Sequence, residues 1–206
     1  MKSICLLLAS ALGAFGQPVL SKEEKKDGFK PLFNRKNLKQ WRGDSRLWRV
    51  NNGVLTGSTD DTQIFQNTFL IHELEVGNFH LKLQVKLRNG NSGIQFRSET
   101  LPDFVVRGLQ ADMALGNWWG SIYDEKGKRG VIVNGWTGKA DMVVKPEDWN
   151  DYEIIAVGDS ITLKVNGLVT AELRDATRLT GVLALQIHSG PRMKVFFRNM
   201  RIKRLP

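Results

Sequence analysis

From residue 79 to residue 88 apolar and polar residues alternate without a fault. Phe79, Leu81, Leu83, Val85 and Leu87 stand against His80, Lys82, Gln84, Lys86 and Arg88. Successive side chains of an extended chain point to opposite faces, so this is a strand with one dry and one wet side. Three further stretches share the alternation, and each carries its chemistry on the polar side. In Asn91-Ser92-Gly93-Ile94-Gln95-Phe96-Arg97, Ile94 and Phe96 face a core while Gln95 and Arg97 face away. In residues 108–113, Leu109, Ala111 and Met113 oppose Gln110 and Asp112; in residues 183–188, Leu183, Leu185 and Ile187 oppose Gln186 and His188. If the three polar sides share one sheet surface, they form a wet floor able to do chemistry.

The punctuation between such runs is that of a β-protein. Asn-Gly occurs at 52–53, 89–90, 134–135 and 166–167, the pair best suited to the positive φ angles of tight hairpins. Residues 151–157 and 161–165 flank Gly158-Asp159-Ser160 as a hairpin, and a last strand covers 196–202. One short helical turn is expected at 175–179, and no repeat of fixed period is visible. Many short strands in one domain predict an all-β fold, an antiparallel double-sheet sandwich of jelly-roll type spanning 28–206.

The first 16 residues read as a secretory leader. Lys2, an apolar run from Ile4 to Leu12 and then Ala14-Phe15-Gly16 fit that pattern, and the run is too short to span a bilayer. Cys5 would leave with the leader, so the mature chain has no cysteine and packing alone must stabilise it. Residues 17–27 are polar and are expected to form a flexible tether. The predicted product is exported, periplasmic or extracellular, with no membrane attachment after cleavage. The formal charge is +9, but Lys and Arg are scattered singly. That argues against nucleic acid and leaves acidic surfaces, glycans or plain solvation as its use.

Residues 101–148 differ from the rest, being rich in Gly and Trp. Loops carrying large aromatics on a rigid sheet are where binding sites usually sit. Trp118, Trp119 and Trp136 are candidates to stack on a sugar ring, although strand parity sends one of the adjacent pair Trp118 and Trp119 to the core. Trp41, Trp48 and Trp149 are expected in the core, and His72 and His80 at the surface. There is no Gly-x-Ser-x-Gly, no phosphate-cradling glycine loop and no Cys-x-x-Cys. His188 is the most capable ionisable group, as an acid or base near neutral pH or as a structural histidine. Asp112 can orient that imidazole, act as the base, hold a cation, or pair with Arg97. Glu125, beside Tyr123, is the other carboxylate placed to reach the floor. Arg97, Gln95, Gln110 and Gln186 suit recognition of hydroxyls and carbonyls, with a merely structural Arg97 as the competing reading. Conventional glycosidases need two carboxyls at set spacing. Sandwich-fold glycanases carry Glu-x-Asp-x-x-Glu on one strand, where this chain has Gln110-x-Asp112 with one acid missing, so that chemistry ranks third.

The landmarks Leu32-Phe33-Asn34, Trp48…Asn52-Gly53-Val54-Leu55, Asn91-Ser92-Gly93-Ile94-Gln95-Phe96-Arg97, Trp149-Asn150-Asp151-Tyr152, Val165-Asn166-Gly167 and Leu185-Gln186-Ile187-His188 resemble the 3-keto-disaccharide hydrolase-like domain family. The resemblance covers nearly the whole mature chain. It implies a concanavalin A-like sandwich, an exported bacterial protein, and action on glycosides oxidised to a ketone at carbon 3. A ketone there acidifies the proton at carbon 2, so one base can start an elimination that expels the group at carbon 1. Within that resemblance, His188 or Asp112 would be the base and Arg97 with Gln95 the grip on the enolate. A divalent cation of Ca²⁺ or Mg²⁺ type would be held by Asp112 or Glu125. Many relatives carry Glu-x-Gln where this chain has Gln110-Ala111-Asp112, which moves the carboxylate by ~6.8 Å on the same face. A carbohydrate-binding module without turnover is the alternative that this departure keeps open.

Overall fold

A computed structural model of the chain describes residues 20–206. Among these, fifteen strands numbered along the chain form two stacked antiparallel sheets. One sheet contains β1 (Lys30–Pro31), β3 (Trp48–Asn51), β4 (Val54–Ser58), β6 (Phe79–Asn89), β11 (Asn150–Val157), β12 (Ser160–Val165), β13 (Leu168–Arg174) and β15 (Lys194–Arg204). Its order is β13-β12-β11-β6-β15-β4-β3, with β1 also on β15. The other contains β2 (Trp41–Arg42), β5 (Thr68–Val76), β7 (Asn91–Leu101), β8 (Val105–Ala114), β9 (Asn117–Glu125), β10 (Val131–Val133) and β14 (Gly181–Ile187). Its order is β10-β9-β8-β7-β14-β5-β2.

The alternation of β6 is realised as read. Phe79, Leu81, Leu83, Val85 and Leu87 are buried in the main core, where they join Ile94, Phe96, Leu109, Ala111, Met113, Leu183, Leu185 and Ile187 from the second sheet. Each of these side chains larger than Ala111 contributes roughly 1.5–3 kcal/mol relative to exposure. β8, β7 and β14 are consecutive neighbours, so the three stretches that share a polar side also share a sheet. This second sheet carries the candidate site on its face away from the main core.

Two of the Asn-Gly pairs make the expected tight turns, with positive φ at both Asn52 and Gly53 and at both Asn166 and Gly167. The pair at 89–90 instead passes the chain from β6 in one sheet to β7 in the other. The pair at 134–135 lies in a loop closed by Asn134, whose Oδ1 accepts from the Trp136 and Thr137 backbone N–H groups.

Several expectations need correction. In place of a flexible tether, Lys22–Lys26 forms a short helix with a Ser21–Glu24 capping box. It is anchored to the sheet because Arg201 Nε donates to Glu24 Oε1 at 2.8 Å. Residues 175–179 are not helical; a 3₁₀ turn lies instead at Ala140–Met142. His72 is buried against the edge of Trp41, with ring centroids 4.5 Å apart, because its strand partner in β2 covers it. Trp149 is only half-buried and lies under the Arg198 guanidinium, 3.9 Å from its ring centroid, outside the core. No helix among the described residues is long and apolar enough to cross a membrane. The leader read at residues 1–16 lies outside the described residues.

Candidate functional site

The site is a cleft of about 610 Å³ over β8, β9 and β14, and Gln110, Asp112, Trp118, Tyr123, Glu125, Gln186 and His188 all line it. Its floor depends on an absence. Gly93 pairs with Asp112 in the ladder, and a Cβ there would lie 2.2 Å from Gln110 Cδ. The missing side chain lets Gln110 lie across the strand. Gln110 Nε2 then donates to Asp112 Oδ1 at 3.0 Å and to Gln186 Oε1 at 3.3 Å. Gln186 Nε2 in turn donates to Glu125 Oε2 at 3.2 Å. Beneath, Gln110 Oε1 accepts from Gln95 Nε2 at 2.8 Å, and Gln95 Oε1 accepts from the Ser98 hydroxyl at 2.6 Å. One chain of amides therefore connects the two carboxylates.

Both acids are buried, and neither forms a salt bridge among the described residues. Burial raises the Asp112 carboxyl to about 7, against the pull of the Gln110 amide and the Met113 N–H, with the charge of Glu125 pushing further upward. Both hydrogen bonds to its side chain fall on Oδ1, so Oδ2 is free of protein donors among the described residues. Burial likewise raises Glu125, opposed by the hydrogen bond from Asn67, by the nearby His188 and Lys126, and by the hydrogen bond from Gln186. Burial and the neighbouring acids raise Tyr123, which therefore stays a phenol and a donor near neutral pH. From below, Tyr152 fixes the strands: its hydroxyl donates to the Asp112 backbone carbonyl at 3.1 Å and accepts from Gly120 N–H at 3.0 Å.

His188 follows the end of β14. Its Nδ1 lies 2.5 Å from the Ser189 carbonyl oxygen. A carbonyl only accepts, so Nδ1 carries the hydrogen and Nε2 of the neutral ring is left as an acceptor. Ser189 is itself held by Asn67, whose Oδ1 accepts from the Ser189 N–H at 3.0 Å and hydroxyl at 3.2 Å, and whose Nδ2 donates to Glu125 Oε1 at 3.2 Å. Asn67 thus ties the seat of His188 to the second carboxylate.

Four expected site residues lie elsewhere. Arg97 is 2% exposed, because a bulge between Phe96 and Glu99 gives it a φ of 50° and turns it out of the floor's alternation. Its guanidinium binds Gly77 O at 2.8 Å, Gly158 O at 2.6 Å and Asn78 Oδ1 at 3.2 Å, which makes it a structural cation not paired with Asp112. Gln95 is fully buried below the floor, where it supports Gln110 instead of meeting a ligand. Trp119 is a core residue, its ring stacked 6.4 Å from Tyr152. Trp136 packs half-buried against the core and does not line the cleft. Residues the sequence reading passed over complete the wall: Gln66, Asn67, Lys126 and Ser189 from loops, and Asn91 from β7. Only Asn91 carried a signal, since it shares strand parity with Gly93 and Gln95.

The chain matches the 3-keto-alpha-glucoside-1,2-lyase-like domain over residues 28–203. It belongs to that family. Among solved structures it is similar to a candidate glycosyl hydrolase from Parabacteroides distasonis ATCC 8503, with 24% identity, a TM-score of 0.69, and 91% of this chain and 98% of that one covered. A protein of unknown function with a galectin-like fold from Bacillus subtilis follows at 12% identity and TM-score 0.62, covering 85% and 94%. The carbohydrate binding module CBM66 from Bacillus subtilis gives 14% and 0.56, covering 85% and 96%. At these identities the likeness is one of fold. No curated protein matches the chain.

In this member of the lyase-like family, Asp112 and Glu125, the residues read as holders of a divalent ion, are engaged as hydrogen-bond acceptors. Among the described residues no three His, Cys, Asp or Glu side chains are grouped to hold an ion. Both oxygens of Glu125 and Oδ1 of Asp112 instead accept from N–H donors. The arrangement is suited to proton transfer: an imidazole held through Nδ1 on a backbone carbonyl, a carboxyl that holds a proton to about pH 7, and a phenol donor around one cleft.

Proposed function

We propose that the cleft binds a glycoside oxidised to a ketone at carbon 3 and cleaves its glycosidic bond by elimination. The observation that carries this reading is the pair Asp112 and Glu125, two buried acids bridged by Gln110 and Gln186, with no salt bridge to either among the described residues. Buried acids held without an ion pair in a cleft are costly to a fold and mark sites of chemistry. The family's description supplies the substrate class.

In this scheme His188 Nε2 removes the proton at carbon 2. The electron pair passes through the enolate, whose oxygen takes a hydrogen bond from the Tyr123 hydroxyl. It then forms the double bond between carbons 1 and 2 as the bond from carbon 1 to the leaving oxygen breaks. Protonated Asp112 delivers its proton to that oxygen. The products are a free alcohol and an unsaturated keto sugar, and addition of water across the double bond gives net hydrolysis. Trp118, half-buried at the wall, stacks on the ring. The leader-like residues 1–16 favour action outside the cytoplasm.

The test is to incubate the protein with a 3-keto-glucoside and with its unoxidised parent while following free aglycone. Release from the ketone alone is expected. Binding of either without release would favour a non-catalytic carbohydrate-binding module, the reading suggested by Trp118 and the likeness to CBM66. Release from the parent would favour a conventional glycoside hydrolase.

A further inference from the structure

A second cleft, of about 630 Å³, adjoins the first and shares Gln66 with it. Its character differs. Phe65 lies on its wall with 88% of its surface exposed, the most exposed of the large hydrophobic side chains described, and Phe104 lines it at 38%. The backbone works to present Phe104. Asp103 and Phe104 are consecutive non-glycine residues with positive φ, 58° and 56°. That conformation persists only where its surroundings enforce it. Here the turn is closed by Val105 N–H on Pro102 O at 3.2 Å and fixed to β5 by Phe69 N–H on Phe104 O at 2.8 Å. Among the described residues lining it, the one cation, Arg46, pairs with Asp44 at 2.6 Å, while Asp103 adds an acid. Charge therefore selects against an anionic ligand.

A glycoside seated with its sugar over Asp112 must send its leaving group out of the first cleft, and the aromatic cleft shares the Gln66 wall with it. We propose that this second cleft is the aglycone subsite, and that Phe65 and Phe104 select 3-keto-glycosides bearing a neutral aromatic aglycone. The assignment rests on the elimination reading for its sugar half. Phe65 and Phe104 are specificity residues in it and touch no reacting atom.

The test compares benzyl and methyl 3-keto-glucosides, whose leaving alkoxides are of similar basicity, so that selectivity reports binding and not leaving-group chemistry. The wild-type protein is expected to favour the benzyl substrate in kcat/KM by about tenfold, the scale of one good aromatic contact. Phe65→Ala, at a position too exposed to support the core, should abolish that preference while leaving the methyl substrate unchanged, and Phe65→Tyr should restore it. Turnover of both substrates without a benzyl preference, or a preference that survives Phe65→Ala, overturns the subsite and leaves the elimination reading standing. If neither substrate turns over, the elimination reading fails instead, and calorimetry decides the subsite. Wild type must then bind the benzyl glycoside about tenfold more tightly than the methyl; equal affinities, or a difference kept in Phe65→Ala, overturn it.

Discussion

Gly93 and Gln110 compete for one volume: a Cβ on the glycine would lie 2.2 Å from the glutamine Cδ. The bridge from Gln110 to both Asp112 and Gln186 exists because that volume was given to the amide. Gly93→Ala should displace Gln110 and separate the two carboxylates. It is expected to lower kcat/KM by at least about tenfold, with an overpacking cost of about 1–3 kcal/mol in stability. Steady-state kinetics alongside denaturant melts checks both, and full activity with an unchanged melt would contradict the role of the bridge.

Asp112 costs the fold stability where its proton is lost, and replacing it should raise stability while lowering activity. Its folded carboxyl titrates at about 7, far above its ordinary 3.8, so between those values the folded state holds a proton that the unfolded state has lost. Stability is therefore greatest below the ordinary value and is lost as pH rises through about 7. Asp112→Asn keeps an acceptor for Gln110 without the charge. It should melt at a higher temperature than wild type at pH 8, by on the order of 1–3 kcal/mol, and at the same temperature near pH 4. Its turnover should fall by about 10²–10⁴-fold. In the wild type, turnover that needs protonated Asp112 should decline as pH is raised above about 7.

Arg97→Met is predicted to separate structure from chemistry. It removes three hydrogen bonds to part-buried carbonyl and amide oxygens. The expected loss is about 2–4 kcal/mol of stability, with kcat and KM for a 3-keto-glycoside unchanged at a temperature where the variant is folded. A raised KM would return Arg97 to the site.

The sequence reading went furthest where period-2 alternation held without interruption. Gln110, Asp112 and Gln186 were placed on one floor because Leu109, Ala111, Leu185 and Ile187 oppose them without a break. The same rule failed at Arg97, two residues past Gln95, because a bulge resets parity and nothing in Phe96-Arg97-Ser98 announces one. It could not choose between Trp118 and Trp119 without knowing which face the core lay on. Asn67 and Ser189 sit in loops, where no period operates, and they became visible only when folding brought residues 122 apart in the chain to 3.0 Å. His72 was misread because its burial depends on β2, a two-residue strand too short to leave a pattern.

His188→Ala should cut elimination by about 10²–10⁴-fold while sparing binding of the ketone substrate. Calorimetry with the substrate, beside turnover, separates the two effects. Intact turnover would move the base to Glu125, the acid that faces His188 across the Asn67 contact.

Elimination requires that bond cleavage begin with loss of the carbon-2 proton. Turnover of a 3-keto-glucoside in D₂O, followed at early times by proton NMR against an enzyme-free control, tests it most directly. The account predicts a sugar product that is either the unsaturated ketone without a carbon-2 hydrogen or the hydrated ketone with deuterium there. Released sugar that keeps its original carbon-2 hydrogen would mean direct displacement at carbon 1 and would contradict it.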